Sequence, residues 1–567
     1  MLPDPTLALD RSWIGSVYEL FVAQAERAPE RPAVIDDAGV QTYGDLLSGS
    51  RRVAGWLAAQ GVRQGDPVAI LAVRAAPLVE AVLGVLGAGA AFVMLDSAYP
   101  ALRQLEMLRL ASPRAWISIG SLEEAEGTVP AEVRSWLREA GCPCLELPPG
   151  GTGAVAELAA FAWEAPEVRV GPKDVACIGF TSGSTGGPKG ILGLHGSLSH
   201  FLPSHCRRFD LGPDDRFSLL SGLGHDPLQR EIFTPLYLGA TVVVPDPSDY
   251  GISGRLAAWM RREQVTVAHL TPTLGQLLTE LPPDGKRELV PSLRRVLLVG
   301  ESLTRKDVAR LRALAPGVSC INLYGSTETQ RAVGFHWVTP EEAEAAPPDR
   351  TERAQQVLPL GRGVPDVQLL VLNPGGGLAG LGELGEIAVR SPHLAGGYLG
   401  NAELTAQRFQ VNPFTGEPAD RIYRTGDLGR YRADGEVVFA GRVDQQVKLR
   451  GFRIELGEIE GVLAGLSGVL EAVVLLRTDL PGGAGLVAYV RTEEGREMSL
   501  RGELKARLPA YMVPAAFVRL DKLPRNANGK LDRRALLRIA PELGAAAVRT
   551  LPRTPAEELL AGIWSQV

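Results

Sequence analysis

The run Phe180-Thr181-Ser182-Gly183-Ser184-Thr185-Gly186-Gly187-Pro188-Lys189-Gly190 follows the apolar segment Val175-Ala176-Cys177-Ile178-Gly179. Nine of its eleven residues are small, hydroxyl-bearing or break regular structure, and one cation, Lys189, stands near its end. Glycines let the main chain approach a ligand, hydroxyls add donors and lysine adds charge, a combination that suits an anion. The preceding segment reads as a buried strand, so the loop falls at a strand's carboxyl end, where open α/β sheets bind ligands. The pattern is not a Walker loop, since Lys189 follows Pro188 and precedes Gly190 where Gly-Lys-Ser/Thr is required. By composition alone such a run is more often a flexible surface loop, and the rest of the chain has to separate the two readings.

Outward from this loop, short β-branched runs alternate with Leu/Ala-rich stretches: Pro67–Leu71, Ala91–Leu95, Ala240–Val244, Val265–Ala268 and Val296–Val299. That alternation predicts an α/β fold with a largely parallel sheet, opened by a helix within Trp13–Arg27. After about residue 360 the pattern changes. Gln368–Leu372, Gly385–Val389 and Gly435–Ala440 are separated by Gly, Pro and Asp turns and predict an antiparallel, barrel-like part. Glu123–Glu167, rich in Ala, Gly, Pro and Glu, reads as a surface excursion. A compact α+β unit is expected from Asp444 to about residue 540, then a linker over 541–552.

Bulk properties narrow the function classes. The 567 residues exceed one ordinary domain, and a hydrophobic fraction of 45% is ample for a core. A net charge of −6 with no basic run argues against nucleic acid as a partner. Five scattered cysteines, with Cys142-Pro143-Cys144 the only close pair, read as free thiols in a reducing cytosol, not a zinc site. The start has no signal-peptide architecture, and the apolar run Ala81–Leu95 is too short for a membrane span, so a cytoplasmic, soluble protein is expected.

Further motifs accompany the loop in order: Thr42-Tyr43-Gly44-Asp45-Leu46, Gly87–Val93, Asn322-Leu323-Tyr324-Gly325-Ser326-Thr327-Glu328-Thr329, Tyr423-Arg424-Thr425-Gly426-Asp427-Leu428, Gly441–Glu455, Leu508–Pro514 and Asn528-Gly529-Lys530-Leu531-Asp532-Arg533. Together with Thr181–Gly190 they resemble, motif by motif over residues 42–533, the acyl-adenylate-forming enzymes, and within them the adenylation domains of nonribosomal peptide synthetases. The resemblance implies a core domain over 1–442, made of parallel α/β sheets plus a small distorted β-barrel. A small mobile α+β domain over 444–540 would follow, with Asp444 as its hinge. Arg553-Thr554-Pro555-Ala556-Glu557-Glu558 and the apolar residues after it resemble the first helix of a peptidyl carrier domain, so 553–567 reads as a truncated carrier start. A monomer is expected for such an excised domain.

The implied reaction joins a carboxylate to ATP with Mg²⁺, giving acyl-AMP and pyrophosphate, then transfers the acyl group to a phosphopantetheine thiol on a downstream carrier domain. Attack at the α-phosphorus builds negative charge on its oxygens, which calls for donors and cations placed there. By the resemblance, Thr181, Ser182, Gly183, Ser184, Thr185, Gly186 and Lys189 hold phosphates, with Thr185 also contributing to catalysis. Gly325, Ser326 and Thr327 bind the nucleotide, with Thr327 touching the α-phosphate, and Glu328 ligates Mg²⁺ and so contributes to catalysis. Tyr324 stacks on adenine near Asn322, Asp427 accepts the ribose hydroxyls, and Arg442 contacts the ribose. Lys530 is the catalytic lysine that bridges the substrate carboxylate and the α-phosphate. Singly, each residue type has an ordinary structural explanation: a tyrosine in a core, an aspartate in a turn, a lysine in solvent.

The pocket positions implied by the resemblance are Asp226, Pro227, Arg230, His269, Leu297, Val299, Leu323, Arg331, Ala332 and Lys530. Asp226 matches the residue that binds a substrate ammonium. Two arginines and a histidine against one aspartate leave positive charge to be neutralised, and arginine forks suit carboxylates. An amino dicarboxylic acid is therefore expected, and the set resembles that of fungal α-aminoadipate reductases, with Leu297 and Leu323 where Phe and Met are expected there. Pairing of an arginine with a protein acid such as Glu231 is the alternative, leaving a neutral amino acid as substrate. A ligase releasing free acyl-CoA and a non-catalytic relative are the other readings.

Overall fold

The computed structural model describes residues 2–120, 129–148, 156–161, 168–183, 187–246, 249–250, 253–281, 288–344, 356–481, 483–493, 497–525 and 531–541. Ser184, Thr185, Gly186, Lys530 and the carrier-like segment 553–567 lie outside the described residues, as does the linker beyond Pro541. The chain divides into two compact units. The first comprises Met1–Ser97, Leu108–Phe180 and Gly190–Val443; the second comprises Ala98–Met107, Thr181–Lys189 and Asp444–Val567.

The first unit is α/β, as the alternation predicts. One sheet has six strands in the order Cys144–Leu147, Ala115–Ile119, Pro67–Ala72, Ala91–Asp96, Val175–Thr181 and Lys189–Leu194. The strand leading into the Ser/Gly/Thr loop, Val175–Thr181, runs parallel to Ala91–Asp96. A nine-stranded sheet follows the order Arg362–Gly363, Ala332–Trp337, Ser319–Gly325, Arg295–Leu298, Val267–Leu270, Arg216–Ser218, Thr241–Val243, Pro32–Asp36 and Gly39–Thr42. Its middle is parallel and its ends are antiparallel.

Val34 and Val242 of the larger sheet share a core with Val68 and Ile70 of the smaller one. The helix Ala76–Gly87 is buried at every position, which fits its unbroken apolar sequence. It lies close against the helix Tyr43–Ala59, where a Cβ on Gly84 would come within 2.5 Å of Val53 side-chain atoms. Glycine at 84 is what lets the two helices approach.

The stretch read as a surface excursion, 123–167, instead contributes a helix, Ala131–Glu139, and the edge strand Cys144–Leu147, parallel to Ala115–Ile119. Val133 and Leu137 fall four apart on the helix's buried face, and Leu145 and Leu147 point inward around exposed Glu146. The segment has a core-facing side that its Ala/Gly/Pro/Glu composition hides.

Beyond residue 360 the strands turn antiparallel: Gln368–Leu372, Gly385–Arg390, Arg421–Tyr431 and Phe409–Val411 form one sheet, with Val437–Arg442 also paired to Arg421–Tyr431. The chain's first residues bind this sheet. Asp4 O accepts from Gln368 Nε2 at 2.7 Å, Pro5 O from Asn412 Nδ2 at 2.9 Å and Leu7 O from Arg390 Nη1 at 2.8 Å. Asp10 N donates to Asp366 at 3.0 Å, and Trp13 Nε1 donates to Ser199 Oγ at 3.0 Å.

In the second unit, the hairpin Gln446–Leu449 and Phe452–Glu455 precedes the helix Leu456–Ala464. A three-stranded sheet of Val469–Leu480, Gly483–Thr492 and Ala516–Arg519 packs with that helix around Ile459, Leu463, Val474 and Ala488. Among the described residues no helix is long and apolar enough to cross a membrane.

Candidate functional site

Two neighbouring strands and the turn between them place the first group of expected residues. In Ser319–Gly325, paired antiparallel with Ala332–Trp337, side chains alternate, so Asn322 and Tyr324 share one face and Ile321 and Leu323 the other. The intervening turn, Thr327–Thr329, is a short 3₁₀ segment closed by Gln330 at φ 59°. Asn322 Nδ2 donates to Pro359 O at 2.7 Å. Glu328 is 1% exposed, and its carboxylate accepts from Tyr398 Oη at 3.0 Å. Nothing in the sequence marks Tyr398 beyond its place in Gly396-Gly397-Tyr398.

Asp427 and Arg442 stand directly opposite each other on antiparallel strands and form a buried ion pair. Tyr324 Oη donates to Asp427 Oδ2 at 2.6 Å, and Arg442 Nη2 donates to Thr425 O at 3.2 Å. Burial, then the Asp427 charge, raises the Tyr324 pKa well above the usual phenol value, so the hydroxyl remains a donor. Three residues expected around one nucleotide thus form a single hydrogen-bonded network.

The second group sits on the helix Pro227–Leu238. Pro227 occupies its first turn, where a missing N–H is harmless, and Gly239 ends it at φ 74°. Asp226 and Arg230 are four apart, hence on one face, with Asp226 Oδ2 to Arg230 Nη1 at 3.8 Å. Asp226 Oδ1 also accepts from Thr327 Oγ1 at 3.3 Å, which ties the two groups together. Leu297, Val299, Leu323 and Ala332 meet in one apolar cluster with Phe209 and Phe217. His269, beside Leu297 across parallel strands, is 1% exposed.

The two arginines have different surroundings. Arg331 is fully buried, and its Nη1 lies 3.2 Å from His393 O, 3.0 Å from His200 Nδ1 and 3.5 Å from Ser197 O; its Nη2 donates to Ser391 Oγ at 2.9 Å. Burial pushes its pKa down to about 9, which leaves it a cation at neutral pH. Arg230, 2% exposed, has Asp226 near Nη1 and, among the described residues, no partner for Nε or Nη2. Among the described residues, neither arginine has an ion-pair contact with Glu231, although the Glu231 charge acts on neighbouring Arg230.

Glu231 is itself fully buried, and its Oε2 accepts from Leu220 N at 3.0 Å and Ser221 N at 2.9 Å. Burial lifts its pKa to about 8, despite Arg74 nearby. The folded state therefore holds a proton that the unfolded chain has lost. The stability this contributes is full below the ordinary carboxyl value and disappears as pH rises through about 8. Glu231→Gln retains an acceptor without the charge. Its melting temperature relative to wild type is expected to rise between pH 6 and 9, and parallel pH curves for the two proteins would disprove this.

In the second unit, Ser182 Oγ donates to Arg453 O at 3.0 Å and accepts from Glu455 N at 3.1 Å, while Gly183 N donates to Glu458 at 2.9 Å. Thr181 and Lys189 are partly exposed at the two ends of the loop. Asp444 opens the unit's last segment. A cavity of about 400 Å³ lined by Gln276, Glu301, Lys306 and Arg310 lies elsewhere in the first unit and shares none of the expected site residues.

Residues 21–399 match the AMP-binding enzyme family, and residues 458–530 match the AMP-binding enzyme C-terminal domain. The chain is 39% identical over 604 residues to the L-2-aminoadipate reductase of Schizosaccharomyces pombe, across 94% of this chain and 42% of that protein. It is 36% identical over 553 residues to a dimodular nonribosomal peptide synthase of Bacillus subtilis, across 97% of this chain and 22% of that protein. A solved nonribosomal peptide synthetase protein containing adenylation and PCP domains, bound to a vinylsulfonamide inhibitor, matches with a TM-score of 0.75 at 27% identity, covering 92% of this chain and 84% of that one. The chain thus spans less than half the length of the aminoadipate reductases it matches. With residues of three of the family's motifs joined in the Tyr324–Asp427–Arg442 network and the family's models matched over most of the length, the chain belongs to the AMP-binding enzymes of the acyl-adenylate-forming superfamily and is a ligase-type adenylating enzyme.

Proposed function

We propose that the enzyme adenylates an amino dicarboxylic acid, with 2-aminoadipate the leading candidate and glutamate next, and passes the acyl group to the phosphopantetheine thiol of a carrier domain. The observation that carries the substrate class is Arg230. It is a buried guanidinium with two nitrogens unpartnered among the described residues, and its ion-pair contact there is with Asp226. Buried cations call for anionic partners, and a substrate carboxylate supplies one while Asp226 remains for the ammonium. Similarity to the aminoadipate reductases over 94% of the chain supports the same class.

ATP supplies the α-phosphorus that the substrate carboxylate attacks, with pyrophosphate leaving. Of the chain's own residues, Asp427, Arg442 and Tyr324 would hold the ribose and adenine, and Thr327 the α-phosphate. Thr181–Gly186 and Lys189 would hold the other phosphates, and Lys530 would steady the developing charge. The buried Glu328 carboxylate offers the hard oxygen that Mg²⁺ prefers. Among the described residues no group of three or more His, Cys, Asp or Glu could hold a metal, so phosphate oxygens and water would complete its shell. Leu297, Val299, Leu323 and Ala332 would line the substrate's methylene chain, and Asp444 would be the pivot between half-reactions.

Pyrophosphate exchange with a panel of acidic, neutral and basic amino acids tests the substrate class. The strongest exchange is expected with 2-aminoadipate, and a preference for leucine, phenylalanine or a fatty acid would sink it. A phosphopantetheinylated carrier protein is expected to accept the acyl group well and free CoA poorly.

A further inference from the structure

Around Arg230 the structure collects buried polar atoms from two of the ten pocket positions, Arg230 and His269, and from one residue outside them, His205. His205, on the helix Leu202–Arg208, is 5% exposed and lies between the rings of Phe201 and Phe209. Its ring is nearly parallel to that of His269, 12° apart with centroids at 6.5 Å. Arg230 Nε and Nη2, His205 Nε2, and His269 Nδ1 and Nε2 are all solvent-inaccessible and have no hydrogen-bond partner among the described residues. These are five nitrogens on three side chains from three separate elements. Buried polar groups in folded proteins are nearly always satisfied, so such a concentration points to a ligand that satisfies them.

We infer that His205, with Arg230 and His269, forms the subsite for the substrate's second carboxylate, and that Arg331 lies outside it. This rests on the dicarboxylate reading above. The open atoms of Arg230, Nε and Nη2, are one edge of the guanidinium fork, and their spacing matches the two oxygens of a carboxylate. The remaining terminal nitrogen, Nη1, is the one beside Asp226. Burial, reinforced by the Arg230 charge, depresses His269 well below the ordinary imidazole pKa and His205 to about 3, so both rings are neutral at physiological pH. A neutral imidazole donates one N–H without adding charge. The subsite then holds one net cation for one carboxylate, and Asp226 stays available to an ammonium.

Arg331 is differently placed. Two carbonyls, a hydroxyl and an imidazole surround both of its terminal nitrogens, with ties to Ser197, His200, Ser391 and His393, so that among the described residues Nε alone lacks a partner and no open fork edge remains. It fastens the bend before the strand Ala332–Trp337 to those segments.

The test measures KM for 2-aminoadipate and for ATP by pyrophosphate exchange, with calorimetric binding of 2-aminoadipate and melting curves for every variant. Arg230→Leu and Arg230→Lys, the latter keeping charge but losing the fork, are expected to raise the 2-aminoadipate KM by about 100-fold or more. His205→Phe, which keeps ring volume and removes both nitrogens, is expected to raise it about 10-fold, and His205→Gln to restore much of the loss. The ATP KM should not move. Arg331→Met is expected to lower the melting temperature while changing the 2-aminoadipate KM about threefold or less. Unchanged binding in His205→Phe, or an Arg331→Met effect equal to that of Arg230→Leu, would overturn the subsite alone. Wild-type protein that rejects every dicarboxylate would remove the substrate reading and the subsite with it.

Discussion

Replacing Lys530 by alanine is expected to lower the rate of acyl-adenylate formation by roughly 10²–10³, with ATP binding largely retained. That is the usual cost of losing one positioned electrostatic stabiliser at a centre where negative charge develops. Asn528-Gly529 before it is a turn sequence suited to presenting the lysine at a tip. The family resemblance assigns it to adenylation and not to thiolation. Thioester formation started from preformed acyl-AMP should therefore suffer far less. Single-turnover assays of the two half-reactions decide the matter, and equal losses in both would show that Lys530 acts through folding or general binding.

Asp427→Ala is expected to damage both stability and nucleotide affinity. The substitution takes the carboxylate from Arg442, whose side chain is 9% exposed, while its Nη2 keeps Thr425 O, and it takes the acceptor from Tyr324 Oη. Removing one partner of a buried ion pair typically costs about 3–5 kcal/mol, most of it from the charge left behind. A large fall in melting temperature and a raised ATP KM should appear together. Arg442→Met in the same chain should return much of the stability and little of the ATP affinity, because it removes the stranded charge without restoring the carboxylate. A double variant no more stable than Asp427→Ala would show that the pair contributes through packing instead.

The parts of this molecule that depend on local order were readable from the chain. The strand Val175–Thr181 follows from an apolar run that stops at glycines and hydroxyls. The change to antiparallel pairing after residue 360 follows from strands separated by turn residues. What escaped was contact between distant segments. A charge count gave Arg230 and Arg331 the same need for an anion, but Arg331 is surrounded by carbonyl oxygens, Ser391 and His200, none of which a tally of formal charges includes. His205 belongs to no motif and gains meaning only where its helix meets the strand carrying His269. The edge strand Cys144–Leu147 is too short for its alternation to stand out from the surrounding composition.

The amino-terminal residues bear on where this enzyme can be cut and joined for module exchange. Arg390, Gln368 and Asn412 are buried side chains that each donate to a main-chain carbonyl of Leu7, Asp4 or Pro5. A junction placed just before the helix Val17–Arg27, where the regular structure begins, would remove all three acceptors and expose a sheet remote in sequence from the cut. Portable versions of this enzyme need their upstream border ahead of Asp4, and chimaeras joined downstream of it should be recovered in lower soluble yield although every catalytic motif is present.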